Sequence, residues 1–127
     1  MGCAGATAGA PAPALAEAKQ ASPEGARVYA AECAGCHGEH GEGLQAAPPV
    51  MGEGALARQG GHRGEFKSAQ DVFEYVKANM PLPKNKAGSL TDDQYWAVTT
   101  YMAAASGKKI PEGGLDAENA ASVTINP

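Results

Sequence analysis

The sequence has few large apolar residues. Leu, Ile, Val and Phe together supply 16 of its 127 residues, about 13%, which is below the roughly 20% under which chains tend to be disordered. Alanine accounts for 27 of the residues counted as hydrophobic. The formal net charge of −4 is too small for disorder driven by charge repulsion. The composition therefore predicts either extensive disorder or a core filled by something other than side chains.

Two further absences exclude classes of protein. No run of about 20 apolar residues occurs, so we expect no transmembrane segment. The ten Lys and Arg residues are scattered along a mildly acidic chain, which disfavours binding to nucleic-acid phosphates. Neither a membrane-spanning protein nor a nucleic-acid-binding protein is therefore expected.

The composition divides the chain into three parts. Residues 1–21 are rich in Ala, Gly and Pro and contain almost nothing large to bury, which predicts a flexible tether. Residues 22–107 contain the helix signals and all the aromatic residues, which predicts a single folded domain. Residues 108–127 are predicted to form an extended C-terminal tail that packs on this domain.

Capping signals mark three helices within the predicted domain. Ser22, Ser68 and Thr91 each precede a helix pattern, and all three are preferred N-cap residue types. The helices are predicted to end near positions 33, 79 and 107, where Gly or Pro residues follow. The segments between them are rich in Gly and Pro. The sequence therefore predicts an all-α fold of three to four short helices.

The motif Cys33-Ala34-Gly35-Cys36-His37 carries the clearest chemistry. C-x-x-C-H is the attachment signature of c-type haem. Two thiols three positions apart on one turn can reach both vinyl groups of a porphyrin and form thioethers. The adjacent histidine can then present its imidazole to the iron. We therefore predict one covalently attached haem c.

Two other uses of a C-x-x-C pair fit less well. A redox dithiol is expected after a strand and within a βαβ pattern, and the sequence predicts neither. A zinc site needs a second close pair of ligands, which Cys3 with His40 or His62 does not supply.

Residues 23–107 resemble the class I c-type cytochromes. Gly25 and Tyr29 resemble the family's glycine and aromatic residue, which let the first helix cross closely over the last. Tyr95, Trp96 and Tyr101 are the candidates for the aromatic counterpart on that last helix. The resemblance implies a cytochrome c fold wrapped around one haem.

The resemblance also implies the residues around the iron. Pro48 and Pro49 resemble the proline whose carbonyl accepts a hydrogen bond from the ligating histidine, and we assign this contact to Pro49. The segment Met80-Pro81 resembles the family's sixth-ligand loop. The implied axial ligands of the iron are therefore His37 and Met80.

The other methionines and histidines are rivals for the sixth position. Met80 ends a helix and is followed by prolines, so a stiff loop presents its thioether. Met51 lies only 14 residues after the motif histidine, and Met102 falls on an aromatic helix face where a methionine usually fills the core. His40 and His62 remain as alternative ligands.

Cys3 is left over once the motif cysteines bind haem. Following Gly2 and preceding a small-residue segment, it resembles the first residue of a mature bacterial lipoprotein. The alternative is an unmodified free thiol. The lipoprotein interpretation predicts a periplasmic protein tethered to a membrane through Cys3.

Together these features predict an electron-transfer protein rather than an enzyme. Ligation by His and Met saturates the iron, which favours a one-electron carrier in a respiratory or periplasmic chain with redox proteins as partners. Lys84 and Lys86 follow the loop and either steer an acidic partner or are simply solvated. The alternative function is a haem-based sensor or enzyme subunit with an exchangeable sixth ligand.

Overall fold

The protein is all-α, as the sequence predicts. A computed structural model describes residues 9–44, 47–52, 55–56, 66–81 and 83–126. Within these ranges the chain forms two short 3-10 turns and five helices: α1 (Ala12–Ala21), α2 (Pro23–Glu32), α3 (Ala34–His37), α4 (Ala69–Asn79) and α5 (Asp92–Ala105). Extended pairing in the described ranges is limited to two isolated bridges.

The helix starts follow the predicted caps. The Ser22 hydroxyl accepts a hydrogen bond from the Gly25 N–H at the start of α2 (3.0 Å). Thr91 and Gln94 form a reciprocal capping box at the start of α5, with bonds of 3.1 and 2.9 Å. Ser68 caps α4 in the same way with Asp71. Each cap satisfies backbone N–H groups that have no partner within the helix.

The crossing of α2 over α5 organises the fold. A Cβ atom placed on Gly25 would lie 2.1 Å from the Ala97 carbonyl oxygen, so the two backbones approach as closely as glycine allows. The Ser22 hydroxyl donates to the same carbonyl at 3.0 Å. One turn further along, the Tyr29 and Tyr101 rings pack with centroids 5.6 Å apart. Tyr101 is therefore an aromatic counterpart of the kind that the family resemblance implies.

α5 is the central helix of the domain. Helices α1, α2 and α4 all pack against it. It is consequently buried on most of its surface, and two of its buried residues are threonines. The buried residues are Tyr95, Val98, Thr99, Thr100, Tyr101, Met102, Ala103 and Ala105.

The flexible tether predicted for residues 1–21 is wrong over its second half. Ala12–Ala21 form helix α1, which packs on α5 and α2. Ala18 is fully buried, and the backbone of Ala10 exchanges hydrogen bonds with His40. Alanine has the highest helix propensity and lets helices pack closely, so a segment without large side chains can still be ordered. Cys3 lies outside the described residues.

The C-terminal segment closes over α4 and α5. The Leu115 N–H donates to the Thr100 hydroxyl at 3.1 Å, and the Ile125 N–H donates to the Lys67 carbonyl at 2.8 Å. Leu115, Val123 and Ile125 are buried. These three residues add large aliphatic side chains to a core that has few.

Replacing Gly25 tests the α2–α5 crossing. Gly25→Ala should destabilise the haem-loaded protein by about 2–3 kcal/mol, because the new methyl group meets a backbone carbonyl that cannot rotate away. The measurement is guanidinium-induced unfolding. Ala30→Gln is the control, since Ala30 is exposed on the same helix, and it should change the free energy of unfolding by less than about 0.5 kcal/mol. Equal stabilities of the two variants would contradict the close crossing.

Candidate haem-binding site

The C-x-x-C-H motif forms one tight turn at the end of α2. The Cys33 N–H closes α2 on the Tyr29 carbonyl, and the His37 N–H bonds to the Cys33 carbonyl at 2.9 Å. Gly38 follows with a positive φ of 92° and ends the turn. The buried Tyr29 hydroxyl donates to the Gly38 carbonyl at 2.7 Å. The backbone of Tyr29 in α2 therefore holds the first residue of the motif, and the Tyr29 side chain holds the residue that follows the motif.

The imidazole of His37 is oriented by a backbone carbonyl. The side chain is 8% exposed, and its Nδ1 lies 2.8 Å from the Pro48 carbonyl oxygen. A carbonyl can only accept, so Nδ1 carries the proton and Nε2 keeps its lone pair. A histidine held in this tautomer is prepared to bind a metal through Nε2.

The assignment of this contact to Pro49 is wrong, because the acceptor is Pro48. A residue that precedes a proline is restricted to an extended backbone, in which consecutive groups face different sides. Only one of the two proline carbonyls can therefore face His37. The loop register is set by the Gly43 N–H on the His37 carbonyl (2.7 Å) and the Val50 N–H on the Gly41 carbonyl (2.9 Å). Two adjacent prolines in the sequence do not indicate which of their carbonyls faces the histidine, because these backbone hydrogen bonds decide it.

Four of the predicted haem residues line one pocket: Cys33, Cys36, His37 and Met80. Pro49 is not among its described lining residues. The volume of the pocket, including space open to solvent, is about 950 Å³. Most of its lining is apolar: Ala47, Pro48, Val50, Leu56, Phe66, Val72, Tyr75, Val76, Pro81 and Met102 join Glu32, Cys33, Cys36, His37 and Met80. Two thiols, an imidazole and a thioether in an apolar pocket are the donor set and surroundings that a c-type haem needs.

The two motif thiols differ in environment. Burial, together with the smaller effects of the nearby Glu32 and Cys36, raises the pKa of Cys33 to about 12. Cys36 is exposed. Reactive redox cysteines have lowered pKa values because the thiolate is the nucleophile. The raised value at Cys33 disfavours the redox dithiol interpretation of the motif.

Met80 is the residue that follows α4. Its N–H bonds to the Val76 carbonyl at 2.8 Å, and its own carbonyl accepts from the Tyr95 hydroxyl at 2.8 Å. The side chain is half-buried and lines the pocket. The C-terminal end of α4 and helix α5 together place this thioether.

Met102 also lines the pocket. The sequence predicts a core position for it but not a place beside the cofactor site. It lies on α5, 4% exposed, and belongs to the main hydrophobic cluster. Met51 is fully buried in that cluster and is not part of the pocket lining. Met102 is therefore the methionine against which Met80 has to be tested.

Of the two rival histidines, His40 is described, and it does not line the pocket. His40 is exposed, and its Nδ1 bonds to the Ala10 carbonyl at 2.7 Å. His62 lies outside the described residues. Among the residues that are described, no three His, Cys, Asp or Glu side chains cluster as metal ligands, so the zinc interpretation gains no support.

The apolar walls of the pocket were only partly visible in the sequence. Val72 and Val76, four residues apart on α4, are signalled by helical periodicity. Leu56 and Phe66 flank the long glycine-rich segment, and no sequence pattern marks them as pocket residues.

Comparisons with known proteins agree with this site. Residues 20–102 match the family described as cytochrome c oxidase, cbb3-type, subunit III. The chain is 36% identical over 85 residues to a thiosulfate dehydrogenase of Stutzerimonas stutzeri (strain A1501), an alignment that covers 62% of this chain and 25% of that protein.

A solved structure is also similar. The crystal structure of the sulfane dehydrogenase SoxCD from Paracoccus pantotrophus matches with a TM-score of 0.63 and 28% identity, over 81% of this chain and 52% of that one. The chain thus spans about a quarter and about half of these two relatives. The fold, the pocket and the family match lead to one conclusion: the chain belongs to this family of c-type cytochromes, whose cofactor is a covalently bound haem c.

Proposed function

We propose that the chain is a one-electron carrier in which Cys33 and Cys36 hold the haem and His37 and Met80 ligate its iron. The observation that carries the proposal is the convergence of all four side chains on one apolar pocket. Met80 is 43 residues beyond His37 in the chain, so local sequence does not bring the two together.

His37 supplies the fixed ligand. Its Nδ1–H donates to the Pro48 carbonyl, which holds the ring in one tautomer and makes Nε2 a stronger base. Because the ring is buried, water does not compete for Nε2.

Met80 supplies the second ligand and sets the redox character of the site. When bound, the haem iron supplies a ferric–ferrous couple. A thioether is a soft ligand that favours the ferrous form, so Met80 raises the reduction potential relative to a nitrogen or water ligand. Pro81 and Pro83 restrict the backbone that presents the Met80 thioether.

The pocket wall keeps the structure of the site similar in the ferric and ferrous states of the iron. Val72, Val76, Leu56 and Phe66 exclude water from the cofactor, and the rigid placement of both ligands limits rearrangement when an electron is transferred. Glu32 is the charged residue among the lining residues. Neither a general base nor a nucleophile is needed for this function.

We further propose that the partners are redox proteins. Both relatives named above are dehydrogenases, and this chain matches only part of each. The cytochrome would accept one electron at a time from an oxidoreductase that oxidises its substrate, and would pass it to a second redox protein. Lys84 and Lys86 are exposed on the 3-10 turn after Met80, where they can attract an acidic partner.

We propose residues 22–107 as the haem-binding unit and a periplasmic location, because thioether attachment of haem takes place outside the cytoplasm in bacteria. None of the helices in the described ranges is long and apolar enough to span a bilayer. We further propose that lipidation of Cys3 attaches the protein to a membrane.

Substitution of Met80 tests the ligand assignment. Met80→Ala should abolish the weak red absorption band of methionine bound to ferric haem, lower the reduction potential, and allow imidazole to bind the ferric iron. Met102→Leu is the matched control, because it removes the other pocket thioether while conserving volume. The measurements are absorption spectra and potentiometric titration.

The two variants separate the competing functions. If Met102→Leu loses the red band and Met80→Ala keeps it, the ligand assignment is wrong. If the wild-type ferric protein is high-spin and its ferrous form binds CO rapidly, a sensor or enzyme with an open sixth site replaces the electron carrier.

Substitution of Cys3 tests the membrane tether. Cys3→Ser, exported in a bacterial host in the same way as the unchanged chain, should move the cytochrome from the membrane fraction to the soluble periplasmic fraction and leave its absorption spectrum unchanged. Intact-mass measurement should show the loss of a lipid-sized increment. A wild-type protein found wholly in the soluble fraction would refute the tether.

A further inference from the structure

Tyr95 links α5 to the segment that carries Met80. It lies in the first turns of α5 and is fully buried. Its hydroxyl donates to the Met80 carbonyl at 2.8 Å and accepts from the Leu90 N–H at 3.4 Å. A single buried side chain thus contacts the backbone at both ends of the segment between α4 and α5.

Three other polar contacts lie close to Met80. The Met80 N–H donates to the Val76 carbonyl at 2.8 Å, and the Met80 carbonyl also receives the Gly88 N–H at 3.4 Å. Lys77 on α4 pairs with Asp92 on α5 at 2.7 Å, and both side chains are about half exposed. Exposed ion pairs are weakened by competition with water and salt. The bond from the buried Tyr95 hydroxyl is therefore the short hydrogen bond that ties Met80 directly to α5.

The position of the hydroxyl matters because Met80 is a displaceable ligand. Its thioether can leave the iron by rotation of the Met80 side chain, by movement of the backbone around it, or by both. Tyr95 opposes the movement of the backbone. Movement of the Met80 carbonyl away from α5 breaks the bond to Tyr95 and leaves a buried hydroxyl without its acceptor, which is unfavourable.

We infer that Tyr95 is a positioning residue that holds Met80 on the iron and so limits exchange of the sixth ligand. This inference rests on the proposed function, since it assumes that Met80 is the ligand. Tyr95 itself is not part of the pocket lining, and it acts only through the Met80 backbone.

Tyr95→Phe tests the inference in the ferric haem-loaded protein. The variant removes one oxygen atom and keeps the buried ring. Under conditions in which the release of Met80 limits the rate of imidazole binding, we expect imidazole to bind the variant about fivefold to tenfold faster than the wild type. This is the change expected when one hydrogen bond of a buried hydroxyl is lost. The red methionine band should also disappear at a lower temperature than in the wild-type protein.

Tyr101→Phe is the matched control. It deletes a hydroxyl from another buried tyrosine of α5 that packs on Tyr29 rather than on the Met80 segment. It should bind imidazole at the wild-type rate. Global unfolding in guanidinium, measured on both variants, separates a general loss of stability from a local release of Met80.

The outcomes distinguish this inference from the proposed function. If Met80→Ala loses the red band while Tyr95→Phe binds imidazole no faster than Tyr101→Phe, Met80 is the ligand and the role of Tyr95 is refuted. If Met80→Ala keeps the red band, the ligand assignment itself fails. If imidazole binds faster to Tyr95→Phe but not to Tyr101→Phe, and the red band depends on Met80, both the ligand assignment and the role of Tyr95 are supported.

Discussion

Burial of one large prosthetic group is the interaction on which the rest of this structure depends. A chain with 16 Leu, Ile, Val and Phe residues has little apolar surface of its own to bury. Several hundred Å² of buried porphyrin, at about 25 cal/mol per Å², contributes roughly 10 kcal/mol before entropic costs. The pocket of about 950 Å³ is the space in which this contribution is made. The low count of large apolar residues therefore reflects a core completed by its cofactor.

Helix α5 provides the common frame for both sides of that core. On one side, Gly25 lets α2 approach α5 closely, and α2 ends directly in the haem-attachment turn. On the other side, the Tyr95 hydroxyl of α5 contacts the backbone of Met80. The motif and the methionine are far apart in sequence, and α5 relates one to the other. Its capping box at Thr91 fixes where this frame begins.

Local signals in the sequence predicted much of this arrangement. The caps at Ser22 and Thr91 depend on neighbours within a few residues and were predicted correctly. Helix α1 was missed because alanine packing contributes little to a count of large apolar residues. The choice of Pro48 over Pro49, and the bond from Tyr95 to Met80, depend on backbone directions set by the tertiary fold. The sequence marks Tyr95 only as a candidate for the aromatic contact with the first helix, not as a partner of Met80.

The central claim, that haem completes the core, is tested most directly by far-ultraviolet circular dichroism of a haem-free chain. A Cys33→Ala, Cys36→Ala double variant that does not retain haem provides that chain. Short helices are marginal on their own, so we predict a largely unfolded spectrum that contrasts with the helical spectrum of the haem-loaded protein. A haem-free variant with the full helical signal and a cooperative thermal transition would contradict the account, because side chains alone would then suffice to form the core.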